Sequence, residues 1–149
     1  MRAADICTRD VVCIDPEASV TDAAKLMRTR HAGALVVVEQ PDGERMPVGI
    51  VTDRDIVMSV VAADVSVETV KVGDIMTTPV VSCTEDHHLL EIVSIMRSKA
   101  IRRLPVLNAN GGLTGMVAAD DVYMALGLLL REINDAVTGE QTHERQLRA

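Results

Sequence analysis

The chain has 149 residues, of which 48% are apolar and 25% charged, and its formal net charge is −7. It contains no Phe, no Trp and a single Tyr, so the aromatic platforms on which many proteins stack nucleic-acid bases are missing. Phosphate backbones also recruit basic surfaces. The composition therefore excludes typical nucleic-acid binding, and we expect no nucleic-acid partner.

The cysteines and the N-terminal sequence indicate in which cellular compartment the protein is expected. Cys7, Cys13 and Cys83 are odd in number and form no C-x-x-C pair, so neither a disulfide framework nor a zinc site is predicted. The chain begins without an apolar signal region, and no apolar stretch approaches the ~18 residues of a membrane span. These features predict a cytoplasmic protein with no membrane partner.

An internal repeat organises the chain. Asp-Ile-Cys-Thr at 5–8 returns as Asp-Ile-Met-Thr at 74–77, and Gly-Ile-Val-Thr-Asp-Arg-Asp at 49–55 returns as Gly-Met-Val-Ala-Ala-Asp-Asp at 115–121. The offset is 69 residues at first and 66 after a longer loop in the first copy. A repeat of this length is usually one supersecondary unit that cannot cover its own apolar face. Two copies predict a two-lobed module.

Each copy predicts the same elements in chain order: strand, helix, strand, strand, helix. The first strands lie at 11–14 and 80–83, and the second at 35–38 and 104–107; each second strand is followed by a turn rich in Gly and Asn or Asp. The third strands end at Val51 and Val117, where the last helix begins. The helices between the first two strands carry apolar residues at helical spacing: Val20, Ala24 and Met27, then Leu89, Val93 and Met96.

We therefore expect an α/β (α+β) fold with a first repeat at 4–63, a linker at 64–73, a second repeat at 74–130 and a helical extension at 131–149. In the extension, spacings of three and four place apolar residues on one helix face, and Gly139 is expected to end the helix before a polar tail. Either the module itself or a second subunit must cover this stripe, and we expect a homodimer. The stripe consists of Leu126, Leu129, Leu130, Ile133 and Val137.

The pattern at 49–55 has a chemical logic for a nucleoside phosphate. Gly49 permits close backbone approach, the Thr52 hydroxyl and the amides of a helix start suit a phosphate, and the Asp55 carboxylate can accept hydrogen bonds from a ribose diol. Thr52 and Asp55 also resemble a helix capping box, which is the structural alternative. Recurrence of the pattern at the same place in the repeat favours a binding site.

With these motifs and Ile-Arg-Arg-Leu-Pro-Val at 101–106, the chain resembles a tandem pair of cystathionine-β-synthase (CBS) domains, a Bateman module, over about 4–130. The resemblance implies two repeats related by a pseudo-two-fold axis. It also implies a non-catalytic sensor of an adenine nucleotide (AMP, ADP or ATP) that signals to a regulated protein. Such modules hold the ligand in two clefts and need no cofactor.

Carried over by position, the resemblance assigns residues to each cleft. In the first, Asp55 would hold the ribose, Thr52 and Arg54 the phosphate, with further wall residues in Gly33, Ala34, Thr77, Val81, Ser82 and Ile101. In the second, Asp121 would hold the ribose and Arg102 and Arg103 the phosphate, with Thr8, Val12, Cys13 and Ala32 as the base pocket.

The two copies differ at their phosphate positions. Ala118 replaces the Thr52 hydroxyl, while Gly33-Ala34 stand where the second copy has Arg102-Arg103. We expect unequal clefts, the second preferring the more highly charged ligand. Alternatives are NAD or S-adenosylmethionine as ligand, or a structural dimerisation module with decayed sites. An enzyme is the weakest option, and His87-His88 and Asp53 are assigned to helix starts, not to a metal.

Overall fold

The structure, a computed structural model, describes residues 1–147, with side chains through residue 140. This part of the chain contains six α-helices and six strands. In the first half these are α1 (Ala3–Ile6), β1 (Cys13–Ile14), α2 (Val20–Arg30), β2 (Ala34–Glu39), β3 (Met46–Thr52) and α3 (Asp53–Ile56), which a π-helical turn (Val57–Val61) extends. In the second they are α4 (Val72–Ile75), β4 (Cys83–Thr84), α5 (Leu89–Lys99), β5 (Arg103–Leu107), β6 (Leu113–Ala118) and α6 (Ala119–Leu147).

Each half forms one three-stranded sheet, in the order β1-β2-β3 or β4-β5-β6. The first two strands of each sheet are parallel and the last two antiparallel. The registers also correspond, since Ile14 pairs with Val37 and their counterparts 69 residues later, Cys83 and Val106, pair with each other. The predicted α/β fold and the predicted order of elements in each repeat are confirmed, although the first strands are shorter than expected.

The two halves exchange their N-terminal segments. Thr8 and Met116 donate backbone N–H groups to each other's carbonyl at 2.9 Å, and Thr77 and Ile50 make the equivalent pair at 2.8 and 3.1 Å. Thus the segment before β1 extends the second sheet, and the segment before β4 extends the first. We call the first sheet with α2, α3 and α4 lobe 1, and the second sheet with α5, α6 and α1 lobe 2.

The apolar cores follow this exchange. Ala3 of α1 is fully buried in the core of lobe 2, and Val72 of α4 is fully buried in the core of lobe 1. A third cluster around Val36, Val38 and Leu113 lies between the two sheets and joins the lobes. The continuous repeats of the sequence and the packed units of the fold therefore differ by these exchanged segments.

Two glycines make the exchange possible. A methyl group on Gly49 would lie 2.8 Å from Cγ of Met76, and one on Gly115 would lie 2.7 Å from Sγ of Cys7. These contacts are too short for any side chain to replace the glycine without movement of its neighbour. Gly49 does not line the candidate site described below, so its close approach is to the exchanged segment of the chain.

On α2 and α5, Val20, Met27 and Met96 are buried as predicted, but the middle position of each helix differs from the prediction by one residue. Ala23 and Ile92 are fully buried, whereas Ala24 and Val93, which were expected to face the core, are exposed. The spacing of the apolar residues alone allowed either member of each pair, and packing against the sheet selects the earlier one. The same shift occurs in both repeats, as expected for equivalent helices.

Helix α6 continues past Gly139 to Leu147, so the predicted helix end is wrong. One glycine inside a helix costs about 1 kcal/mol, which the rest of the helix can offset.

At its start, α6 buries Val122 and Ala125 against lobe 2. Further along, the predicted stripe is exposed, with Leu130 and Ile133 at 68% and 61% of their full exposure. The helix does not fold back onto the module.

Candidate functional site

A cavity of about 380 Å³ lies between the two lobes. Residues from α3 and the end of β3 face it from lobe 1, and the segment after α5 faces it from lobe 2. Ten of the predicted site residues line it: Gly33, Ala34, Thr52, Arg54, Asp55, Thr77, Val81, Ile101, Arg102 and Arg103. The exchange of segments explains this convergence, because Thr77 pairs with Ile50 at the edge of the lobe 1 sheet.

Thr52 and Asp55 form the polar edge of the cavity on lobe 1. Asp55 Oδ2 accepts hydrogen bonds from the Thr52 backbone N–H at 2.8 Å and from its hydroxyl at 2.7 Å, while Thr52 Oγ1 accepts from the Asp55 N–H at 3.2 Å. The predicted capping box is present. No described residue donates to Asp55 Oδ1. One carboxylate oxygen therefore fixes the helix start, and the other can accept hydrogen bonds from a ligand.

The other walls are largely apolar. Five further residues line the cavity that were not predicted from the sequence, and their only signal was a position within two residues of a predicted one. Apolar side chains on both walls suit a flat, weakly polar group such as a nucleobase. The missed residues are Ile50, Asp53, Pro79, Val80 and Ala100.

Arg102 and Arg103 line this cavity together with Asp55, although they were expected in the other cleft with Asp121. In the repeat they correspond to Gly33 and Ala34, which line the same cavity. Because residues of both repeats line the same cavity, the repeat to which a residue belongs does not determine which cleft it lines. Arg102 and Arg103 also line the small cavity beside Ala118 and Asp120, so the expectation that the second cleft holds them and prefers the more highly charged ligand stays a prediction.

The remaining predicted residues lie elsewhere. Asp121, Ser82, Thr8, Val12, Cys13 and Ala32 do not line the large cavity. Asp121 Oδ2 accepts a hydrogen bond from the Ala118 N–H at 2.7 Å, which repeats the cap of Asp55 without its hydroxyl. Beside it is a small cavity of about 90 Å³. Its walls are Arg102, Arg103, Ala118, Ala119 and Asp120.

The thiols of the three cysteines are expected to be unreactive at neutral pH. Burial raises the pKa of Cys7 and Cys13, and it raises the pKa of Cys83 to about 11, with a smaller contribution from Cys7. These thiols are therefore protonated at neutral pH, the unreactive form. In the part of the chain that the structure describes, no group of three His, Cys, Asp or Glu side chains could hold a metal ion.

None of the helices within the described residues combines the length and apolarity that crossing a membrane requires.

Comparison with known proteins agrees with this architecture. The chain is 34% identical over 131 residues to protein MK0525 of Methanopyrus kandleri, which covers 88% of the chain but 65% of that relative's length. A CBS-domain containing protein from Agrobacterium tumefaciens has a solved structure that matches with a TM-score of 0.72 and 31% identity, over 84% of this chain and 98% of that one. A hexameric CBS-CP12 protein from bloom-forming cyanobacteria matches with a TM-score of 0.71 and 33% identity, over 83% and 69%.

The family model for the CBS domain matches twice, at residues 3–62 and 72–128. Each match spans one repeat of strand, helix, strand, strand and helix with its N-terminal segment. Together the matches cover most of the chain, including all the residues of the interlobe cavity. The chain belongs to the CBS domain family and contains a tandem pair of CBS domains.

Proposed function

We propose that this chain is a non-catalytic regulatory module that binds an adenine nucleotide between its lobes. Paired CBS domains act as regulatory modules. The observation that carries the proposal is the composition of the interlobe cavity: the free oxygen of Asp55, an apolar wall and three arginines lie around one space. These groups match the ribose, base and phosphate of a nucleotide in turn.

The size and chemistry of the cavity support this ligand. Small-molecule sites usually enclose about 300–1,000 Å³, are mainly apolar and contain a few oriented polar groups. The cavity has about 380 Å³. Asp55 Oδ1 accepts no hydrogen bond from a described residue, so it is free to accept those of a ribose diol. Guanidinium groups pair well with phosphate oxygens.

Regulation would follow from the position of the cavity. A ligand held by Asp55 of lobe 1 and Arg102 of lobe 2 contacts both lobes, so its affinity depends on how they are arranged. A ligand shifts a conformational equilibrium only by its different affinity for the two states. The signal is then a changed surface, presented to a regulated partner protein.

We propose a homodimer as the working form. The α6 stripe continues the face that buries Val122 and Ala125, but beyond Ala125 it has no cover from its own lobes. Soluble monomers rarely expose a contiguous apolar patch of this kind. A second copy supplies an identical stripe, and the CBS-CP12 protein of similar fold is itself hexameric.

The direct test is the identification of the ligand. Small molecules released from the purified protein are analysed by mass spectrometry, and calorimetry then measures binding of AMP, ADP, ATP, NAD and S-adenosylmethionine. We expect an adenine nucleotide to bind most tightly. Tighter binding of NAD or S-adenosylmethionine would assign the site to that compound instead of an adenine nucleotide. No binding in either assay would favour a purely structural, dimerising role.

A further inference from the structure

The hairpin loops of the two sheets bind each other across the boundary between the lobes. Residues 40–45 join β2 to β3, and residues 108–112 join β5 to β6. The Leu113 N–H donates to the Arg45 carbonyl at 2.8 Å, and the Asn108 side-chain amide donates to Glu44 Oε1 at 2.8 Å. In residues 1–137, apart from the segments where the chain crosses between lobes (9–12 and 78–82), no other hydrogen bond joins lobe 1 to lobe 2. We call these four residues the interloop latch.

Asn108 is held in one orientation by its own loop. Its Oδ1 accepts hydrogen bonds from the Asn110 and Gly112 N–H groups, both at 2.9 Å. Because these two donors fix which end of the amide is the oxygen, Nδ2 must face an acceptor, and Glu44 supplies a charged one. The carboxylate has room because residue 112 is a glycine: a methyl group there would lie 2.6 Å from Cδ of Glu44.

The latch depends on the part of the repeat that is not symmetric. The offset between the copies is 69 residues before this loop and 66 after it, so the first loop has three more residues (69 − 66 = 3). The extra length falls in 40–45, the stretch that contains Glu44 and Arg45. Two symmetric loops would exchange bonds in both directions. Here lobe 1 supplies both acceptors and lobe 2 both donors.

The latch lies at the ends of the sheets that are opposite the cavities. β2 begins at Ala34 and β5 at Arg103, which both line the large cavity, and each strand then runs away from it toward its hairpin loop. The small cavity also lies at this end, beside Ala118 at the end of β6. At about 3.3 Å per residue, the strands separate the latch from the cavities by roughly 15–20 Å.

We propose that the interloop latch is the hinge of the module, which holds the lobes together at one end and confines their relative motion to the cavity end. Hinges in proteins are usually a few residues in loops or at the ends of elements. A ligand that contacts both lobes at the cavity end then changes the angle between them and leaves the latch closed. This inference goes beyond the proposed function and does not depend on which compound binds.

Amide hydrogen exchange in the full chain tests the latch. Asn108→Asp keeps the oxygen that its own loop uses but places a second carboxylate against Glu44. We expect the Leu113 amide to exchange at least about tenfold faster, as for the loss of one hydrogen bond to a charged group, while Met116, which is paired within lobe 2, changes less than about threefold. Adding Glu44→Gln should restore slow exchange, because the Gln amide can donate to the new carboxylate.

Asn110→Asp is the matched control, since it adds the same charge at an exposed position of the same loop whose side chain makes no bond to lobe 1. Thermal melts establish that each variant is folded. If Asn108→Asp does not fold, Glu44→Ala removes the acceptor from the other lobe and should speed exchange at Leu113 in the same way.

Spin-label distances in the ligand-free chain test the hinge. Labels on introduced ketone-bearing amino acids leave the native cysteines unmodified, and dilution with unlabelled protein keeps each distance within one chain. Thr29 and Ser98 are exposed at the last turns of α2 and α5, next to the cavity, whereas Glu39 and Ala109 are exposed beside the latch. We expect a broad distance distribution for the first pair and a narrow one for the second, and the second should broaden in Asn108→Asp.

The outcomes separate this inference from the proposed function. Unchanged exchange of Leu113 in Asn108→Asp, or no recovery on adding Glu44→Gln, would show that the latch does not hold the lobes. A distribution beside the latch as broad as that beside the cavity, or two narrow ones, would overturn the hinge. Because these measurements use the ligand-free chain, such results leave the proposed function intact, and a failure to bind nucleotide in calorimetry overturns the proposed function alone.

Discussion

Asp55 has different partners at its two carboxylate oxygens. Oδ2 holds the helix start through Thr52, whereas Oδ1 has no donor among the described residues, and Asp55 lines the cavity. Capping of a helix and binding of a ribose were alternatives in the sequence, because both need a carboxylate three residues after a Thr. The geometry allows both at once.

Replacement of Asp55 by Ala should weaken binding of an adenine nucleotide by about tenfold to over a hundredfold, since a hydrogen bond to a charged group is worth ~1.5–3 kcal/mol. It should also cost about 0.5–2 kcal/mol of stability through loss of the cap. Asp121→Ala is the control: it removes the equivalent cap at Ala118 but no residue of the cavity. Calorimetry and denaturant melts measure the two effects, and equal ligand affinity in both variants would contradict the ribose role.

Alanine substitutions at Gly115 and Gly127 should change stability in opposite directions. A methyl group at Gly115 meets Cys7 Sγ at 2.7 Å and the Thr8 carbonyl at 3.2 Å, so we expect a loss of about 1–3 kcal/mol from overpacking. Gly127 lies within α6 with no atom within 4 Å of such a methyl group, and Gly127→Ala should gain about 0.5–1 kcal/mol from helix propensity. Urea denaturation measures both. A Gly115→Ala protein as stable as the parent would contradict the close packing of the exchanged segment.

The thiols should react slowly in the folded protein. Because burial raises the pKa of all three, and that of Cys83 to about 11, the thiolate forms only as the pH rises well above neutral. Labelling with Ellman's reagent at pH 7 should be much slower for the native chain than for the chain in guanidinium, and its rate should climb with pH. Three thiols that label as fast in the native chain as in the unfolded one would show that they are not protected.

At the scale of elements, most of α6 extends beyond the packed core of lobe 2. Its first two turns belong to the core of lobe 2, and the remainder carries the exposed stripe from Leu126 to Val137. In the sequence, the stripe and its spacing were visible, but the length of the helix was not. Gly139 suggested an end, but a single glycine costs a helix only about 1 kcal/mol, which is too little to force it to stop.

Removal of the chain after Leu126 should convert the protein from a dimer to a monomer. The truncated chain keeps Val122 and Ala125, the α6 residues that are buried in the structure, so the module should still fold. Ile133→Glu in the full chain serves as the matched variant, since it places a charge in the middle of the stripe without shortening the helix. Light scattering gives the masses. A truncated chain that stays as firmly dimeric as the parent would place the interface elsewhere, and a monomeric parent at micromolar concentration would exclude the dimer.

The five elements predicted for each repeat follow from local patterns, but the short helices α1 and α4 were not predicted, and α4 begins at Val72 inside the predicted linker. Period-two and helical spacing located the long strands and helices. The same spacing could not show that α1 and α4 pack into the opposite lobes, because that depends on pairs such as Thr8 with Met116. It also could not choose between Ala23 and Ala24 as the buried residue of α2, which only the sheet beneath the helix decides.

For the whole molecule, the repeat predicted two lobes and a cleft between them, and the structure has both. The residues predicted for the first cleft come together with the exception of Ser82. Those predicted for the second divide, because Arg102 and Arg103 line both the large cavity and the small one, whereas Asp121 lines neither. Matching positions in the two repeats identifies residues that the pseudo-two-fold axis relates. It does not determine which of the two adjacent clefts a long side chain near that axis lines.

The central claim, that an adenine nucleotide lies between the lobes with its ribose at Asp55, is tested most directly by a crystal structure of the protein grown with ATP. The account predicts density for a nucleotide in the interlobe cavity, with the ribose hydroxyls within hydrogen-bond distance of the Asp55 carboxylate. A nucleotide bound at Asp121 instead, or crystals grown at saturating ATP with no nucleotide in the cavity, would contradict it.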